Sequence, residues 1–403
     1  MDFTICQIAV PSRDSFDPSW VMAQTDAILL TDATEVLGEP DFHLPLALRV
    51  HGLRRQVDEW QTILVAVAGL DTAALPHGED GLPLLSWEAD QAPTEGRVLG
   101  LVSVSGGITD NVQLAELSVI VAVEHRRNGI GSALLAAAET LASQRGCRTV
   151  QSWSDHHRPE PGEDHLVPPT GFGAVPLDRA GRFAQASGYG LEQCERHSVC
   201  ELPGDVEQQD RLWAEALPHA LDYQIRTIAG RIPDDLVDRY AQLLEHFTEQ
   251  MPNAGLDVEP ERWDADRIRR GEAQRAAAGR EAVTTVALHR QTQELVAATD
   301  ITTDGTHPAV CFQQMTVVDS RHRGHRLGLL VKIANHRAVH QHHPERRRVH
   351  TWNAGENSWM LAINDQLGYR ERIVEAAWQK RLGRIGFGSL RAADLRSAPQ
   401  TTF

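Results

Sequence analysis

The sequence predicts a mixed α/β protein made of two copies of one domain. Residues 117–135, LSVIVAVEHRRNGIGSALL, and residues 314–332, QMTVVDSRHRGHRLGLLVK, share one pattern when His125 is placed on His322. In both segments an apolar stretch leads into an arginine-rich turn and then into a glycine that opens a helix. The offset between the two is 197 residues, which is about half of the chain.

A Gly-Tyr pair further along each half is the second shared feature, and each pair precedes a plausible strand. Gly188-Tyr189 is followed by LEQCERHSVCEL, and Gly368-Tyr369 is followed by RERIVEAAWQKRL. Two copies of one domain explain these repeats better than a single large fold does.

Local patterns predict the elements of each copy in order. Residues 98–106 and 114–123 predict two strands joined by the turn-like GGITDNV, and SALLAAAETLASQR after Gly131 predicts a helix. In the second half, residues 233–251 predict an amphipathic helix with acids in its first turn. The segments EAVTTVALHR and ELVAATDITT predict a hairpin, VCFQQMTVV predicts a strand, and LGLLVKIANHRAVHQ predicts a helix.

We expect one domain over residues 1–205 and the other over residues 206–403, because PGDVEQQD near the boundary is polar and turn-rich. The following RLWAEALPHALDY is either a linker helix or part of the second domain. The turn glycine and the Gly-Tyr pair are 57 residues apart in the first copy and 40 in the second. The additional residues fall in HHRPEPGEDHLVPPTGFGAVP, a loop of the kind that lines or covers sites.

Composition and charge exclude several classes of partner and location for this chain. The chain has 403 residues, 41% of them hydrophobic, and a net charge of −16, which argues against nucleic acid or anionic membranes as partners and favours a cationic or amine-bearing substrate. No apolar run is long enough for a membrane span, and the N-terminus lacks the basic region of a signal peptide. Five scattered cysteines indicate reduced thiols and a cytoplasmic protein.

A strand, an arginine- and glycine-rich turn and a helix N-terminus together form an anion site. In the first copy the turn is Arg126-Arg127-Asn128-Gly129-Ile130-Gly131. It is neither a P-loop nor a dinucleotide fingerprint, because the required lysine and third glycine are absent.

At these residues the chain resembles the GNAT superfamily of acyl-CoA N-acyltransferases in a tandem architecture like that of mycothiol synthase. The resemblance implies two domains, each with a mostly antiparallel twisted sheet flanked by helices. Arg126, Gly129 and Gly131 match the family's [Gln/Arg]-x-x-Gly-x-[Gly/Ala] signature for the pyrophosphate of coenzyme A. In the second copy Arg323 and Gly328 match, but Arg326 takes the place of the middle glycine, and Gly324 lies directly after Arg323 instead.

A second family motif places an Asn eleven residues before the closing Gly-[Tyr/Phe]. Asn357 fits this spacing in the second copy, whereas the first copy has Leu177 there. Residues 321–348 also carry eight basic side chains and one acid, against four and two in residues 124–148, and a local excess of positive charge attracts anions. We therefore expect acetyl-CoA in the second copy, which is also the catalytic copy of mycothiol synthase, with the first copy structural or degenerate.

The cofactor-binding residues that the resemblance implies in the second copy are Val318, Ser320, Arg323, Gly324, His325, Arg326, Leu327, Gly328 and Asn357. The alternative site in the first copy comprises Val121, Val123, Arg126, Arg127, Asn128, Gly129, Ile130 and Gly131. The resemblance also implies that a backbone N–H of Val318 or Val121 binds the thioester carbonyl.

The catalytic residues stay open. The family commonly protonates the thiolate with a Tyr four residues before the closing glycine, but Asn364 and Ala184 stand there. Glu116, Asp300 and Glu245 are the candidates for a base, although Glu245 also fits a solvated helix face and Asp300 a turn after a strand.

Two other clusters carry weaker hypotheses. One loop crowds seven potential metal ligands, for which a hydrophilic loop is the better interpretation: Asp155, His156, His157, Glu160, Glu163, Asp164 and His165. His340, His342 and His343 lie at a predicted helix end, where they suit the negative pole of the helix. We expect no metal.

The sequence thus predicts an acetyltransferase that moves acetyl from acetyl-CoA to a small-molecule amine, as a monomer or a homodimer. The alternatives are a non-catalytic acyl-CoA or metabolite-binding protein, and a fold repurposed for another reaction on a natural-product intermediate. Only Lys332 and Lys380 are lysines among the 39 Lys and Arg residues, which is typical of a high-GC, actinobacterial genome.

Overall fold

The structure is a computed structural model that describes residues 2–11, 18–54, 56–86, 96–303 and 307–383. The helices are α1 (Trp20–Leu37), α2 (Leu46–Arg54), α3 (Ile130–Gln144), α4 (Arg179–Ala186), α5 (Val206–Ala216), α6 (Val237–Gln250), α7 (Ala265–Ala277), α8 (Leu327–His342) and α9 (Ser358–Gln366). The strands are β1 (Thr4–Ile8), β2 (Glu59–Ala68), β3 (Leu84–Leu85), β4 (Arg97–Gly107), β5 (Leu114–Val121), β6 (Thr149–His156), β7 (His165–Leu166), β8 (Val175–Pro176), β9 (Gly190–Glu201), β10 (Tyr223–Ala229), β11 (Ala282–His289), β12 (Leu295–Thr303), β13 (Val310–Val318), β14 (Arg348–Ala354) and β15 (Arg370–Arg381).

One succession of elements occurs twice, which confirms the mixed α/β tandem fold. The succession β1-α1-α2-β2-β4-β5-α3-β6-α4-β9 returns as β10-α6-α7-β11-β12-β13-α8-β14-α9-β15. The predicted strands and helices form with small shifts of their ends. The helix predicted from residue 233 begins at Val237, and Asp300 lies inside β12 rather than at its end.

Thirteen strands of the described chain form one sheet, in the order β10-β11-β12-β13-β14-β9-β15-β6-β5-β4-β2-β1-β3. The last strand of each half crosses to the other half: β9 pairs with β14, and β15 pairs with β6. Trp378 of β15 is 1% exposed in the core beneath α3, together with Leu134 and Val150. The two halves therefore complete each other's sheet.

Helices cover both faces of this sheet. Alternate residues of β2 point to opposite faces, since Leu64 packs in the α3 core and Val65 packs in the core of α1 and α2. In the second half α8 covers the same face as α3, while α6 and α7 cover the other. Leu212 of α5 lies in the α8 core, so the segment that follows the predicted boundary packs with the second half. The division at residue 205 itself stays a prediction.

Two pairs of neighbouring strands in the sheet diverge along their length. β5 and β6 pair in parallel only from Leu114 to Leu117, and β13 and β14 pair only from Val310 to Phe312. Beyond these points the strands diverge, and the diverging part of β5 or β13 leads directly into an arginine-rich turn. No helix of the described residues is long and apolar enough to cross a membrane.

Candidate active site

The two turns have the same backbone shape although their glycines occupy different places. Arg127 and Gly129 have φ values of 65° and 76°, while Gly324 and Arg326 have values of 87° and 58°. The offset of 197 residues places Arg127 on Gly324 and Gly129 on Arg326. Each turn thus contains two residues in the left-handed backbone conformation, one of which is glycine. The missing middle glycine leaves the backbone path of the second turn unchanged and adds a cationic side chain.

A helix with an uncapped N-terminus follows each turn. α3 begins after Gly129 and α8 begins after Arg326, and neither residue makes a side-chain capping bond. The first N–H groups of both helices are therefore not used by a capping side chain, which suits an anion such as a phosphate.

The second glycine of each turn lies against equivalent neighbours. A Cβ on Gly131 would lie 3.5 Å from Val121 Cγ2 and 3.5 Å from the Phe183 ring. A Cβ on Gly328 would lie 3.6 Å from Val318 Cγ2 and 3.3 Å from Ile363 Cδ1. Glycine at this position thus allows close packing of the helix against the strand and against α4 or α9.

The turn arginines differ in their electrostatic partners. Arg126 donates to both carboxylate oxygens of Glu35, in the last turn of α1, at 2.8 and 2.6 Å. Arg179 also donates to Glu35, at 3.1 Å, and these contacts with Arg126 and Arg179 lower the Glu35 pKa to about 2. In the second copy Arg323 donates to the neutral amide of Gln250, in the last turn of α6. Only the first of the two arginines is neutralised by a carboxylate.

A cavity of about 350 Å³ lies where β13 and β14 diverge. Its lining includes Glu195, Phe312, Gln313, Lys332, Trp352 and Asn357. β13 carries a bulge here, because Ile301 pairs with Gln313 while the neighbouring Asp300 pairs with Met315. Glu195 belongs to β9, so the first half supplies one wall of a cavity in the second half.

The tyrosine of each Gly-Tyr pair contacts a residue of α3 or α8 and lies close to one of the two lysines. The Tyr189 hydroxyl donates to Glu139 at 3.0 Å, and Lys380 lies 2.8 Å from the same carboxylate. In the second copy the Tyr369 hydroxyl lies 2.9 Å from His336 Nε2, and the Lys332 amine lies 4.9 Å from the centroid of the Tyr369 ring. Within the described residues Lys332 has no ion-pair partner, and burial lowers its pKa to about 7.

The second motif contributes to this cavity through both of its asparagines. Asn357 caps α9, accepting a hydrogen bond from the Met360 N–H at 3.3 Å, and also lines the cavity. Asn364, at the position where the family commonly has Tyr, is 1% exposed and donates to Asn353 at 2.6 Å. It therefore holds a residue that lines the cavity.

The excess of basic residues in 321–348 does not collect at the turn, which corrects the charge argument made from the sequence. Arg346 donates to the backbone oxygens of His307 and Val310. Arg348 pairs with Glu39 and Asp41 at 2.9 and 2.8 Å. These residues follow the C-terminus of α8, a helix of 16 residues and thus about 24 Å long.

Comparisons with known proteins bear on the fold and on the turn before α3. Residues 59–160 match the model of the Acetyltransferase (GNAT) family. A tandem GNAT protein from the clavulanic acid biosynthesis pathway is 23% identical, with a TM-score of 0.67 over 96% of this chain and 100% of that chain. A GCN5-related N-acetyltransferase from Sphaerobacter thermophilus is 12% identical, with a TM-score of 0.53 over 93% of this chain and 98% of that chain.

A third solved structure is the GCN5-related glucosamine N-acetyltransferase region of a fungal multi-domain GH3 β-N-acetylglucosaminidase. It is 15% identical, with a TM-score of 0.57 over 94% of this chain and 38% of that chain. No curated protein gives a match. The family match covers the turn before α3, and the repeated order of elements shows the same fold in both halves.

The chain has the fold of tandem GNAT proteins, and its residues 59–160 match the GNAT acetyltransferase family. The family match supports an acyltransferase as the enzyme class. None of the three bases that the sequence suggested lines the cavity between β13 and β14. Asp300 is buried and its pKa is raised to about 6 by burial, Glu245 accepts a hydrogen bond from the Trp263 N–H at 3.1 Å, and Glu116 is exposed on β5.

The titratable groups that do line the cavity, Glu195 and Lys332, were missed by sequence reasoning. Burial, and then the charge of Glu356, raise the Glu195 pKa to about 7. Glu195 reaches the cavity only through the crossing of β9 into the second half, which no local pattern indicates. Lys332 is one of only two lysines in the chain, and it lies within the apolar segment LGLLVKIA. That rare placement was the sequence signal that could have identified Lys332.

The acidic and histidine-rich loop that follows β6 is held by its own contacts. His156 lies 2.9 Å from Asp178, and His157 lies 3.3 Å from Glu163. Among the described residues no group of three or more potential ligands is arranged to hold a metal ion. At the end of α8, His343 pairs with Glu281 at 3.3 Å.

Proposed function

We propose that this GNAT protein transfers an acetyl group from acetyl-CoA to the amine of a small molecule, with the cofactor bound in the second copy. One observation carries the choice of copy: Arg323 is held by the neutral Gln250, whereas Arg126 is neutralised by Glu35. A pyrophosphate at the first turn would meet Glu35 and the neighbouring Asp32, whose carboxylate lies 3.9 Å from Arg126. Two carboxylates beside the turn would repel the pyrophosphate and oppose its binding.

Arg323, Arg326 and the first N–H groups of α8 would hold the pyrophosphate in the second copy. The diverging β13 and β14 would admit the pantetheine arm, and the cavity between them would receive the thioester. The bulge at Gln314 supports this role, because it breaks the pairing of β13 beside the cavity.

Acyl transfer to an amine requires a base for the amine and an acid for the departing thiolate. Glu195 and Lys332 line the same cavity and both have pKa values of about 7, which suits proton transfer near neutral pH. Glu195 would take the proton of the amine as its nitrogen attacks the carbonyl carbon. Lys332 would protonate the thiolate in place of the Tyr that Asn364 replaces.

The first copy then acts as a structural and substrate-shaping partner, since its strand β9 supplies Glu195. We extend the proposal to a cytoplasmic location. The five cysteines are all buried and free, as expected under reducing conditions.

Calorimetric titration with acetyl-CoA tests the proposal through a matched pair of variants, Arg323→Gln and Arg126→Gln. We expect one site in the parent protein, binding weakened at least tenfold by Arg323→Gln, and no change with Arg126→Gln. The opposite pattern would move the cofactor to the first copy. Release of free thiol from acetyl-CoA with a panel of small amines then tests turnover, and binding without turnover would favour the non-catalytic acyl-CoA-binding alternative.

A further inference from the structure

Two aromatic rings form part of the wall of the cavity between β13 and β14. Phe312 of β13 and Trp352 of β14 both line this cavity. Their rings are nearly parallel, with an angle of 20° between the planes and 6.2 Å between the centroids. Both side chains are half-buried, so the rings are available to a molecule in the cavity. We call Phe312 and Trp352 the ring platform.

The register of the strands places the ring platform and Glu195 on one face of the sheet. Phe312 is paired with His350, and Ala354 is paired with Glu195. Paired residues on neighbouring strands share a face, and so do alternate residues of one strand. His350, Trp352 and Ala354 alternate along β14, so the three share a face with Phe312 and Glu195. Trp352 and Glu195 are therefore diagonal neighbours, roughly 7–8 Å apart.

This face of the sheet is the one that α6 covers. Cys311, which precedes Phe312, packs in the core beneath α8, so Phe312 points to the opposite face. Phe247, in the last turn of α6, also lines the cavity. Lys332 belongs to α8 and therefore reaches the cavity from the other face. The cavity thus has an aromatic side with Glu195 and a second side with Lys332.

Rings from both halves of the chain support the ring platform from behind. Phe42, between α1 and α2, has its ring centroid 5.2 Å from that of Trp352, and the His197 centroid lies 4.8 Å from Trp352. The His350 ring lies 5.5 Å from Phe312, and His350 is itself hydrogen-bonded to His197 at 3.0 Å. These contacts orient both rings before a ligand binds, which lowers the entropic cost of binding.

We infer that the ring platform binds an aromatic group of the acceptor, so that the substrate is an amine joined to an aromatic ring by a short carbon link. This inference rests on the proposed function, because it names the class of amine that the cavity takes. The ring would stack on Phe312 and Trp352, as aromatic rings favour offset-stacked contacts with one another. The amine would lie at Glu195, and the diagonal spacing of Trp352 and Glu195 suits a short link.

The donor would enter from the other side of the cavity. The turn that holds its pyrophosphate in the proposed function leads into α8, the helix that also carries Lys332. The aromatic side is therefore left to the acceptor rather than to the acyl group of the donor.

Calorimetry of the full-length protein with 2-phenylethylamine, 2-cyclohexylethylamine and ethylamine tests the subsite. The first two amines are similar in size and equal in charge but differ in aromatic character, and ethylamine lacks the ring. At pH 8, above the Glu195 pKa of about 7, we expect phenylethylamine to bind at least tenfold more tightly than ethylamine and at least threefold more tightly than cyclohexylethylamine.

Trp352→Leu is expected to abolish the preference for phenylethylamine over cyclohexylethylamine. Trp359→Leu is the matched control, because Trp359 is 85% exposed on α9, outside the cavity lining, and should have no effect. Thermal unfolding shows whether each variant is folded. If Trp352→Leu does not fold, Phe247→Leu tests the same subsite from α6, and it should weaken phenylethylamine binding at least threefold.

Equal affinity for phenylethylamine and cyclohexylethylamine, or a preference that survives both Trp352→Leu and Phe312→Leu, would overturn the inference. Tighter binding of phenylacetyl-CoA than of acetyl-CoA, removed by Trp352→Leu, would assign the ring platform to the donor and would also overturn it. Absence of acetyl-CoA binding with the aromatic preference intact would reject the proposed function and keep the subsite. Acetyl transfer to amines without any aromatic preference would reject the subsite alone.

Discussion

Arg126 and Glu35 form a two-point ion pair that neutralises the arginine of the first turn, with N–O distances of 2.8 and 2.6 Å. The same position of the second turn has Arg323, whose partner in the corresponding helix is the amide of Gln250. The backbones of the two turns are alike, so a difference of one charge distinguishes the two anion sites.

Replacing Glu35 by glutamine and Gln250 by glutamate should reverse the difference in acetyl-CoA affinity between the two turns. Glu35→Gln removes the carboxylate from Arg126, and we expect the number of acetyl-CoA sites to rise from one toward two. Gln250→Glu should weaken the site in the second copy at least tenfold, which is about 1.4 kcal/mol or more. Calorimetric stoichiometry measures both effects. An unchanged site number in Glu35→Gln together with unchanged affinity in Gln250→Glu would show that these residues do not control the anion sites.

Asp155, Glu375 and Glu195 are paired in register on neighbouring strands, and we call these three carboxylates the acidic row. The acidic row predicts a stability that falls as pH rises. The Glu195 pKa is raised from 4.5 to about 7 in the folded chain, so below pH 4.5 both states are protonated and no cost exists. Between pH 4.5 and 7 the unfolded chain ionises first, and stability is lost until the folded carboxyl also ionises. Glu195→Gln should therefore raise the free energy of unfolding at pH 8 by on the order of 2 kcal/mol, and by nothing at pH 4.

Chemical denaturation at the two pH values measures this difference, with Glu201→Gln as the exposed control on the same strand. A gain that is equal at pH 4 and pH 8 would contradict an electrostatic origin. The proposed role of Glu195 as a base predicts the opposite effect on activity, since the more stable variant should lose turnover.

Removing the charge of Lys332 and removing that of Lys380 should change the stability of the protein in opposite directions. Burial lowers the Lys332 pKa from 10.5 to about 7, so its cost to the folded state is complete below pH 7 and absent above pH 10.5. Lys332→Met should therefore stabilise the protein at pH 6 and reduce kcat at least tenfold. Lys380→Met breaks an ion pair with Glu139 at 2.8 Å, and should destabilise the protein while leaving kcat nearly unchanged.

Thermal unfolding at pH 6 and initial rates of acetyl transfer measure the two effects. If Lys332→Met keeps full turnover, the amine is not the acid of the reaction. If it destabilises the protein as Lys380→Met does, the buried lysine has a favourable partner and the assigned direction of its pKa shift is wrong.

Gly129 and Arg326 occupy equivalent positions with a left-handed backbone conformation. Placing arginine at the first and glycine at the second should change stability in opposite directions. A Cβ on Gly129 has no atom within 4 Å, so Gly129→Arg meets only the cost of a positive φ, about 1 kcal/mol. Arg326→Gly should return a similar amount of stability to the second turn. Urea unfolding measures both variants. A loss much larger than this in Gly129→Arg would indicate a steric conflict that the open surroundings of Gly129 do not predict.

Local features of the molecule could be predicted from the sequence, because neighbouring residues determine them. The turn before α3, the turn before α8 and both Gly-Tyr pairs follow from spacing within short segments. The surroundings of Arg346 and Arg348 could not be predicted by adding charges along the chain, since their partners come from β13 and from Glu39 and Asp41.

The acidic row shows the same limit more clearly. Asp155, Glu195 and Glu375 are far apart in the sequence, and only the register of three strands brings them together. Because β9 and β15 come from different halves, a model of either copy alone would place these residues at separate edges. The presence of Glu195 and Lys332 in the lining of one cavity has the same cause.

The crossing of β9 and β15 has an evolutionary consequence. A duplicated domain can ordinarily be lost once its own activity is gone, but here each copy contains a strand that the other needs. Deleting the first copy would remove Glu195 from the cavity of the second and leave Trp378 without the core in which it is buried. The fold of each copy is therefore maintained by its contribution to the other, whichever turn binds the cofactor. Loss of either half would leave the other with an incomplete sheet, so the two halves depend on each other for their fold.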